Sequence, residues 1–369
     1  MADYAGYRAF SFNKLRDFCL AVFHQHGFTQ EESAQITDVL LAADLAGIES
    51  HGIQRLVRYS QEISRGLVKV GARPEVVFQT PLSAVIDAHD CMGQLVSVTA
   101  MNLAVDKAKA HGIGLVTVRD SNHFGIAGYY THLAAQQDLI GICMTNTEAI
   151  MVPTFGSQAM LGTNPIAVAM PAEPCIYSFD ASTTVVTRGK LEVYKKRGQP
   201  APLGWILDEN GLESTDTDIV LDNIIAKNGG GILPLGGEGE ATSGHKGYGF
   251  AVLCEIFTGI LSLGTTSNHI YTTPGRANIA HCFIALDYAM FGDKQEIRER
   301  FSRFLQELRQ TRRAAGRQRV YIHGEKEAES RQRKLVEGIP VNAVTFDELR
   351  SIALQLGIDP LDPLPDAPG

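Results

Sequence analysis

The sequence predicts an α/β (α+β) protein in which a central sheet domain is joined to a helical domain built from both chain ends. Three observations carry that expectation. Short β-rich runs crowd the middle of the chain, helical periodicity occupies both ends, and the G-x-G-x-x-G fingerprint of a Rossmann strand and helix is absent. At 369 residues the chain is long for one hydrophobic core, so the expected division is residues 1–73 with 291–369 for the helical domain and 74–290 for the sheet domain.

The elements follow in order. Leu15, Phe18, Cys19, Val22 and Phe23 share one stripe at helical spacing, and Gly27 closes that helix. Thr29 and Glu32 have the spacing of a capping box, so a second helix opens there and runs through AQITDVLLAADLAG until Gly47 stops it. A third takes in LVRYSQEISRG. From residue 74 the pattern shifts to PEVVFQT, SAVIDAH, IGLVTVR, IGICMTN, PIAVAMP, CIYSFDA and HCFIALDY, short runs separated by helical stretches and glycine-rich turns. After residue 290, Ile297, Phe301, Phe304, Leu305 and Leu308 restore helical spacing, and Thr345 with Glu348 repeats the capping-box signal before a last helix. The closing DPLDPLPDAPG reads as a loose tail.

Composition excludes several classes. A net charge of −8 opposes a polyanion, because nucleic-acid affinity depends on cations that neutralise phosphates. The basic stretch RERFSRFLQELRQTRRAAGRQR coincides with helical spacing, so its arginines read as a solvated or inter-subunit face rather than an anion-binding arm. The six cysteines form no CxxC, which leaves no zinc or redox motif, and several sit in apolar runs where a free thiol behaves as a small hydrophobe. No secretory leader and no run of membrane-spanning length is visible, so the expectation is a cytoplasmic protein with no membrane partner and no metal.

Three segments carry candidate chemistry. ESHGIQR places Ser50, His51 and Arg55 at the junction of two helices. A guanidinium four residues from an imidazole could clamp a carboxylate while the imidazole exchanges a proton, although a capping serine, a surface histidine and a solvated arginine would look the same. DSNHFGIAGYY ends a strand with His123, and Gly125 and Gly128 would let a ligand approach the main chain. The plainer alternative is a loop histidine bonded to its own backbone. LPLGGEGEATSGHKGYGFAVL is a glycine-rich loop feeding a helix, with Lys246 near its start. It misses the P-loop pattern, since His245 precedes Lys246 and Gly247 stands where a magnesium-binding hydroxyl belongs. A dinucleotide diphosphate remains compatible with that helix start.

Taken together, ESHGIQRL, DSNHFGIAGYY, GTNPIAVAMP, FDASTTVVTRGKLEVYKKRG, GWILDENG and GHKGYGFAVL resemble the type 2 malate/L-lactate dehydrogenase family, in order and spacing from about residue 10 to 360. The resemblance implies a non-Rossmann, NAD-binding mixed-sheet domain, a homodimer, and reversible hydride transfer between a nicotinamide and a small 2-hydroxy or 2-oxo acid. NAD is favoured, with NADP possible. Carried over by position, His51 is the acid/base, Ser50 its supporting hydroxyl, Arg55 the carboxylate clamp and Thr163 a substrate contact. His123 and Phe124 line the nicotinamide side, with His123 a rival proton acceptor; Asp180, Ala181, Ser182, Arg188, Gly189, Lys246, Gly324 and Glu325 are cofactor contacts. Malate or L-lactate is the leading substrate, with ureidoglycolate, sulfolactate and diketogulonate as alternatives. Two departures matter: His323 replaces the proline of a Pro-Gly-Glu turn, and Lys190 replaces the aspartate of cyclic-imine reductases, which weakens imine reduction because a lysine cannot accept that hydrogen bond. A small-molecule binding protein without turnover is the alternative outside the enzymes.

Overall fold

In the computed structural model, which describes residues 6–196 and 198–364, each of the seven β-rich runs forms a strand of one mixed sheet. The strands are β2 (Glu75–Gln79), β3 (Ser83–Asp87), β4 (Ile113–Ser121), β5 (Ile140–Thr145), β6 (Ile166–Met170), β7 (Tyr177–Ala181) and β11 (Ile279–Leu286). Their spatial order is β2-β3-β4-β11-β5-β6-β7. Only β3 and β4 run parallel, and α4 (Gly93–His111) supplies the crossover that a parallel pair requires. β11 arrives late in the chain yet inserts at the centre, with Phe283 opposite Val116 on one side and Cys143 on the other. One face is covered by α4 and α5 (Ala127–Ala135), whose Val96, Ala100, Ala104, Tyr130 and Ala134 pack on Val116, Val118 and Phe283. The opposite face carries α8 (Gly244–Glu255) and its π-helical continuation Ile256–Ile260, whose Cys254 and Phe257 pack on Met144 and Cys282.

The helical part draws on both ends of the chain. β1 (Tyr7–Phe10) pairs with β12 (Ile339–Asn342), Phe10 against Ile339. Around that tie, α1 (Phe12–Gln25), α2 (Gln30–Ala46), α3 (Arg55–Ser64) and α11 (Ala343–Leu356) close on Leu15, Phe23, Ile36, Leu40, Leu56, Phe346 and Leu349. The Thr29–Glu32 capping box forms with both of its hydrogen bonds. The second one does not. α11 starts before Thr345, because Asn342 caps it by accepting the Thr345 N–H at 2.8 Å.

One further unit was not legible in periodicity, whereas the helix read after residue 290 was. α6 (Arg188–Lys196), α7 (Thr217–Ala226) and the two-residue strands β8 (Ile206–Leu207), β9 (Glu213–Ser214) and β10 (Gly231–Ile232) enclose a small core of Leu191, Ile206, Val220, Ile224 and Ile232. α9 (Lys294–Gln310) packs through Phe301 and Leu305 on Ala172, Tyr177 and Ile322 beside the β7 edge, leaving Arg300 and Arg303 exposed. α10 (Glu325–Glu337) then returns to α2, where Lys334 donates to the Asp44 carbonyl at 2.6 Å.

Candidate active site

The chain passes from α2 to α3 through a single 3₁₀ turn, Glu49–His51. Asp44, buried in α2, fixes that turn by accepting the Ile53 N–H at 2.7 Å. Burial pushes its carboxyl up to about 7. Gly52 is obligatory there, since a Cβ would collide with the Asp44 carboxylate. The pinned turn sets Ser50 Oγ 2.9 Å from His51 Nδ1, and Arg55 Nε donates to the Ser50 carbonyl at 2.5 Å.

His123 follows β4 and reaches the same place from the sheet. Asn122 anchors the strand end by donating to the carbonyls of Asp90 and Cys91, and Gly125 adopts φ +88°, a region open to glycine. The His123 ring lies 5.5 Å from that of His51, inclined by 26°. Its Nδ1 is 2.7 Å from the Tyr59 hydroxyl and accepts the Gly125 N–H at 3.3 Å. Phe124 turns inward: its ring stacks on His281 at 4.5 Å and is 2% exposed, so its side chain supports the strand end and only its backbone is left for a ligand. His281 is held in turn by Thr145 and Ser121 hydroxyls, and burial lowers it to about 3.

The electrostatics of the site follow from burial and two neighbouring arginines. His51 is lowered to about 3 by desolvation and then by Arg55 and Arg58. His123 is lowered well below the usual histidine range by the same burial, with Arg58, His51 and Arg55 adding to it. Both imidazoles are therefore neutral near pH 7, and both keep part of their surface open. The two arginines differ. Arg58 is paired with Glu62 at 2.7 Å and donates to the Tyr271 hydroxyl at 2.6 Å, whereas Arg55 forms no salt bridge with any described residue.

The remaining candidates are held chiefly by contacts outside this centre. Gly189 belongs to it, since a Cβ there would lie 3.6 Å from the Ser50 Cβ and 3.9 Å from Arg55 Nη2. Arg188 is engaged by Glu192 at 3.1 Å and Glu148 at 3.8 Å, and Lys190 lies exposed over the Tyr194 ring. Thr163 donates its N–H to Thr147 Oγ1 at 2.9 Å and accepts the Thr183 N–H through its carbonyl at 2.9 Å. Behind it Asn164 donates to the buried Glu255 at 2.8 Å. Asp180, an exposed residue of β7, joins that strand to the start of α5 by accepting the Gly128 N–H at 2.7 Å. Ala181 pairs with Ile166 in the sheet, and Ser182 Oγ donates to the Thr184 carbonyl.

Lys246 stands exposed in the first turn of α8, which Ser243 opens without a side-chain cap, and it forms no salt bridge with a described residue. Gly324 and Glu325 are further along β7, where His323 accepts the Ser178 N–H at 3.2 Å. Glu325 is already occupied: Arg309 donates to one oxygen at 2.6 Å, and Arg319 and the Ile322 N–H donate to the other at 2.9 and 3.0 Å. Sequence reasoning did not single out Tyr59, Arg58, Tyr271 or His281. Tyr59 had a signal, being one helical turn beyond Arg55 and two beyond His51. His281 had a weaker one, a histidine within an apolar strand. Among the described residues no group of three or more His, Cys, Asp or Glu side chains could hold a metal ion.

Residues 10–350 match the family model described as malate/L-lactate dehydrogenase. The chain belongs to the malate/L-lactate dehydrogenase family. Malate dehydrogenase of Pyrococcus abyssi is 40% identical over 351 residues, which is 95% of this chain and 95% of that one. L-sulfolactate dehydrogenase of Methanocaldococcus jannaschii is 36% identical over 332 residues, covering 89% and 92% of the two chains. The crystal structure of malate dehydrogenase from Entamoeba histolytica superimposes with a TM-score of 0.92 at 33% identity, over 96% of this chain and 99% of that one. Membership of the malate/L-lactate dehydrogenase family makes the chain an oxidoreductase of hydroxy acids, and the mixed sheet with its helical partner is that family's architecture.

Proposed function

We propose that the chain is an NAD-dependent dehydrogenase interconverting malate, ahead of L-lactate, with the corresponding 2-oxo acid. The observation that carries this reading is Arg55, a guanidinium enclosed beside His51 that forms no salt bridge with a described residue. A desolvated cation gains most from an anion, and with Nε committed to the Ser50 carbonyl the terminal nitrogens are left for a substrate carboxylate. In oxidation His51 takes the hydroxyl proton on Nε2 while Ser50 accepts from Nδ1–H; in reduction the proton returns. The bound carboxylate offsets the arginines that depress His51 and so raises its basicity when substrate is present. A base placed in this way contributes about 10²–10⁴-fold.

The residues fit a dinucleotide. The uncapped start of α8 with Lys246 in its first turn suits a diphosphate, Asp180 meets Gly128 just beyond His123 and Phe124 with Ala181 and Ser182 following it, Gly189 lies against Ser50 and Arg55, and the Gly324–Glu325 turn packs on Ser178 of β7. A nicotinamide held there supplies the hydride acceptor or donor for the substrate's second carbon. Arg188 is countered by Glu148 and Glu192, which leaves little free charge for a 2′-phosphate and favours NAD over NADP.

The working form is a homodimer. Phe250, Leu253, Ile256 and Ile260 project from α8 and its continuation at 49, 39, 45 and 54% exposure, an apolar stripe suited to a second copy. Its six unpaired cysteines suit a reducing compartment such as the cytoplasm. The decisive experiment is a panel of oxaloacetate, pyruvate, sulfopyruvate, 2,3-diketogulonate and piperideine-2-carboxylate against NADH and NADPH. Oxaloacetate with NADH is expected to give the highest kcat/KM. Reduction of none of them by either cofactor would sink the reading and leave a binding protein.

A further inference from the structure

We infer that Tyr59 and the Gly125 amide hold His123 as the neutral Nε2–H tautomer, so that His123 meets substrate as a hydrogen-bond donor and His51 alone exchanges the proton. The inference rests on the dehydrogenase reading above and deepens it. Its starting point is the 3.3 Å contact from the Gly125 nitrogen to His123 Nδ1. A backbone N–H can only donate, so Nδ1 presents a lone pair there. The Tyr59 hydroxyl, 2.7 Å from the same nitrogen, then donates as well. With that lone pair committed, the single proton of the neutral ring sits on Nε2.

The same geometry excludes the imidazolium. An Nδ1–H would point at the Gly125 N–H, inside a shell that already contains Arg55 and Arg58. His51 is placed differently. Among the described residues its Nδ1 faces only the Ser50 hydroxyl, which can accept, so the His51 ring can carry its proton on Nδ1 and keep a lone pair on Nε2. A proton acceptor needs a free lone pair on the nitrogen that meets the substrate. His51 can offer one, whereas His123 offers an N–H. Tyr59 is thus a positioning residue, 1% exposed and reaching His123 across 64 residues of sequence, that separates the roles of two stacked imidazoles.

Long-range proton–nitrogen spectra of the imidazoles in the cofactor-free protein read this directly, with His123 assigned by its loss in His123→Gln. The expected result at neutral pH is a protonated Nε2 and a bare Nδ1 in the native chain, shifting to a mixture of tautomers in Tyr59→Phe, whose unfolding midpoint serves as the control for packing. An Nδ1–H form of His123 in the native chain would overturn the proposal. In turnover, Tyr59→Phe is expected to lower kcat about tenfold while KM moves less than about threefold, and to leave the acid limb of kcat/KM in place because that limb belongs to His51. An acid limb that moves in Tyr59→Phe and persists in His51→Gln would give proton exchange to His123 and overturn the proposal as well. The spectra need neither cofactor nor turnover, so failure of every 2-oxo acid would count against the functional reading and not against the tautomer.

Discussion

The turn at Glu49–Arg55 and the turn at Ile322–Glu325 each deliver a charged side chain to the border between helical and sheet parts, and they treat that charge in opposite ways. At the first, Arg55 is enclosed with one nitrogen on a backbone carbonyl and no carboxylate of a described residue within ion-pair distance. At the second, both oxygens of Glu325 are taken by Arg309, Arg319 and a backbone N–H, which lowers its carboxyl despite the opposing effect of burial. A charge left without its counter-ion in a protein interior is held for a ligand; one that is fully answered belongs to the scaffold. The same contrast recurs one turn along α3, where Arg58 has Glu62 and Tyr271 and Arg55 has neither.

The largest expected effect breaks that contrast at its open end. Arg55→Met should lower kcat/KM about 10³-fold, the size of a charge-assisted carboxylate contact, while leaving stability unchanged or raised by about 1 kcal/mol, because an unanswered buried cation is replaced by an apolar chain. A fall of several kcal/mol in unfolding free energy would show that Arg55 is already paired. The complementary change comes next in size. Glu325→Ala should cost about 2–3 kcal/mol in denaturant unfolding, because it strands Arg309, whose side chain is 15% exposed. Loss of cofactor affinity with stability intact would reverse the assignment and make Glu325 a ligand group.

How much of this was legible in the sequence depends on range. Local signals held: the Thr29–Glu32 box caps α2, and each short apolar run became a strand. What failed to show was non-local or weakly periodic. Nothing in HCFIALDY states that it will separate β4 from β5, since strand order is decided by pairing partners distant in the chain. Two-residue strands such as β8 are too short for any period, and Asn342 outcompeted Thr345 as a cap because β12 ends directly at it. In the site, Ser50, His51 and Arg55 lie within one turn and its helix, so their meeting could be read from spacing. The approach of Tyr59 to His123 could not, as it depends on how α3 docks on the end of β4. The plainer reading of His123 is met, since it is bonded to its own backbone through Gly125, and with Tyr59 on the same nitrogen its ring lies beside His51.

The smallest effect concerns slope rather than magnitude, and it sharpens the comparison inside the first turn itself. His51 is lowered to about 3 from 6.5, so between those values the unfolded chain takes up a proton that the native chain refuses, and stability falls as pH drops through that window. Asp44 is raised from 3.8 to about 7, so the native chain keeps a proton that the unfolded chain releases, and stability falls as pH rises from about 4 to 7. The two groups oppose each other across nearly the same interval, each by at most about 1.4 kcal/mol per pH unit and less for His51 where solvent screens it. His51→Gln should therefore tilt the stability profile downward with rising pH, and Asp44→Asn should tilt it upward, relative to the native chain. Urea unfolding at several points between about pH 4.5 and 6.5 measures both. Parallel profiles for His51→Gln and the native chain would mean that His51 titrates normally in the folded state, and the neutral base beside Arg55 would lose its physical support.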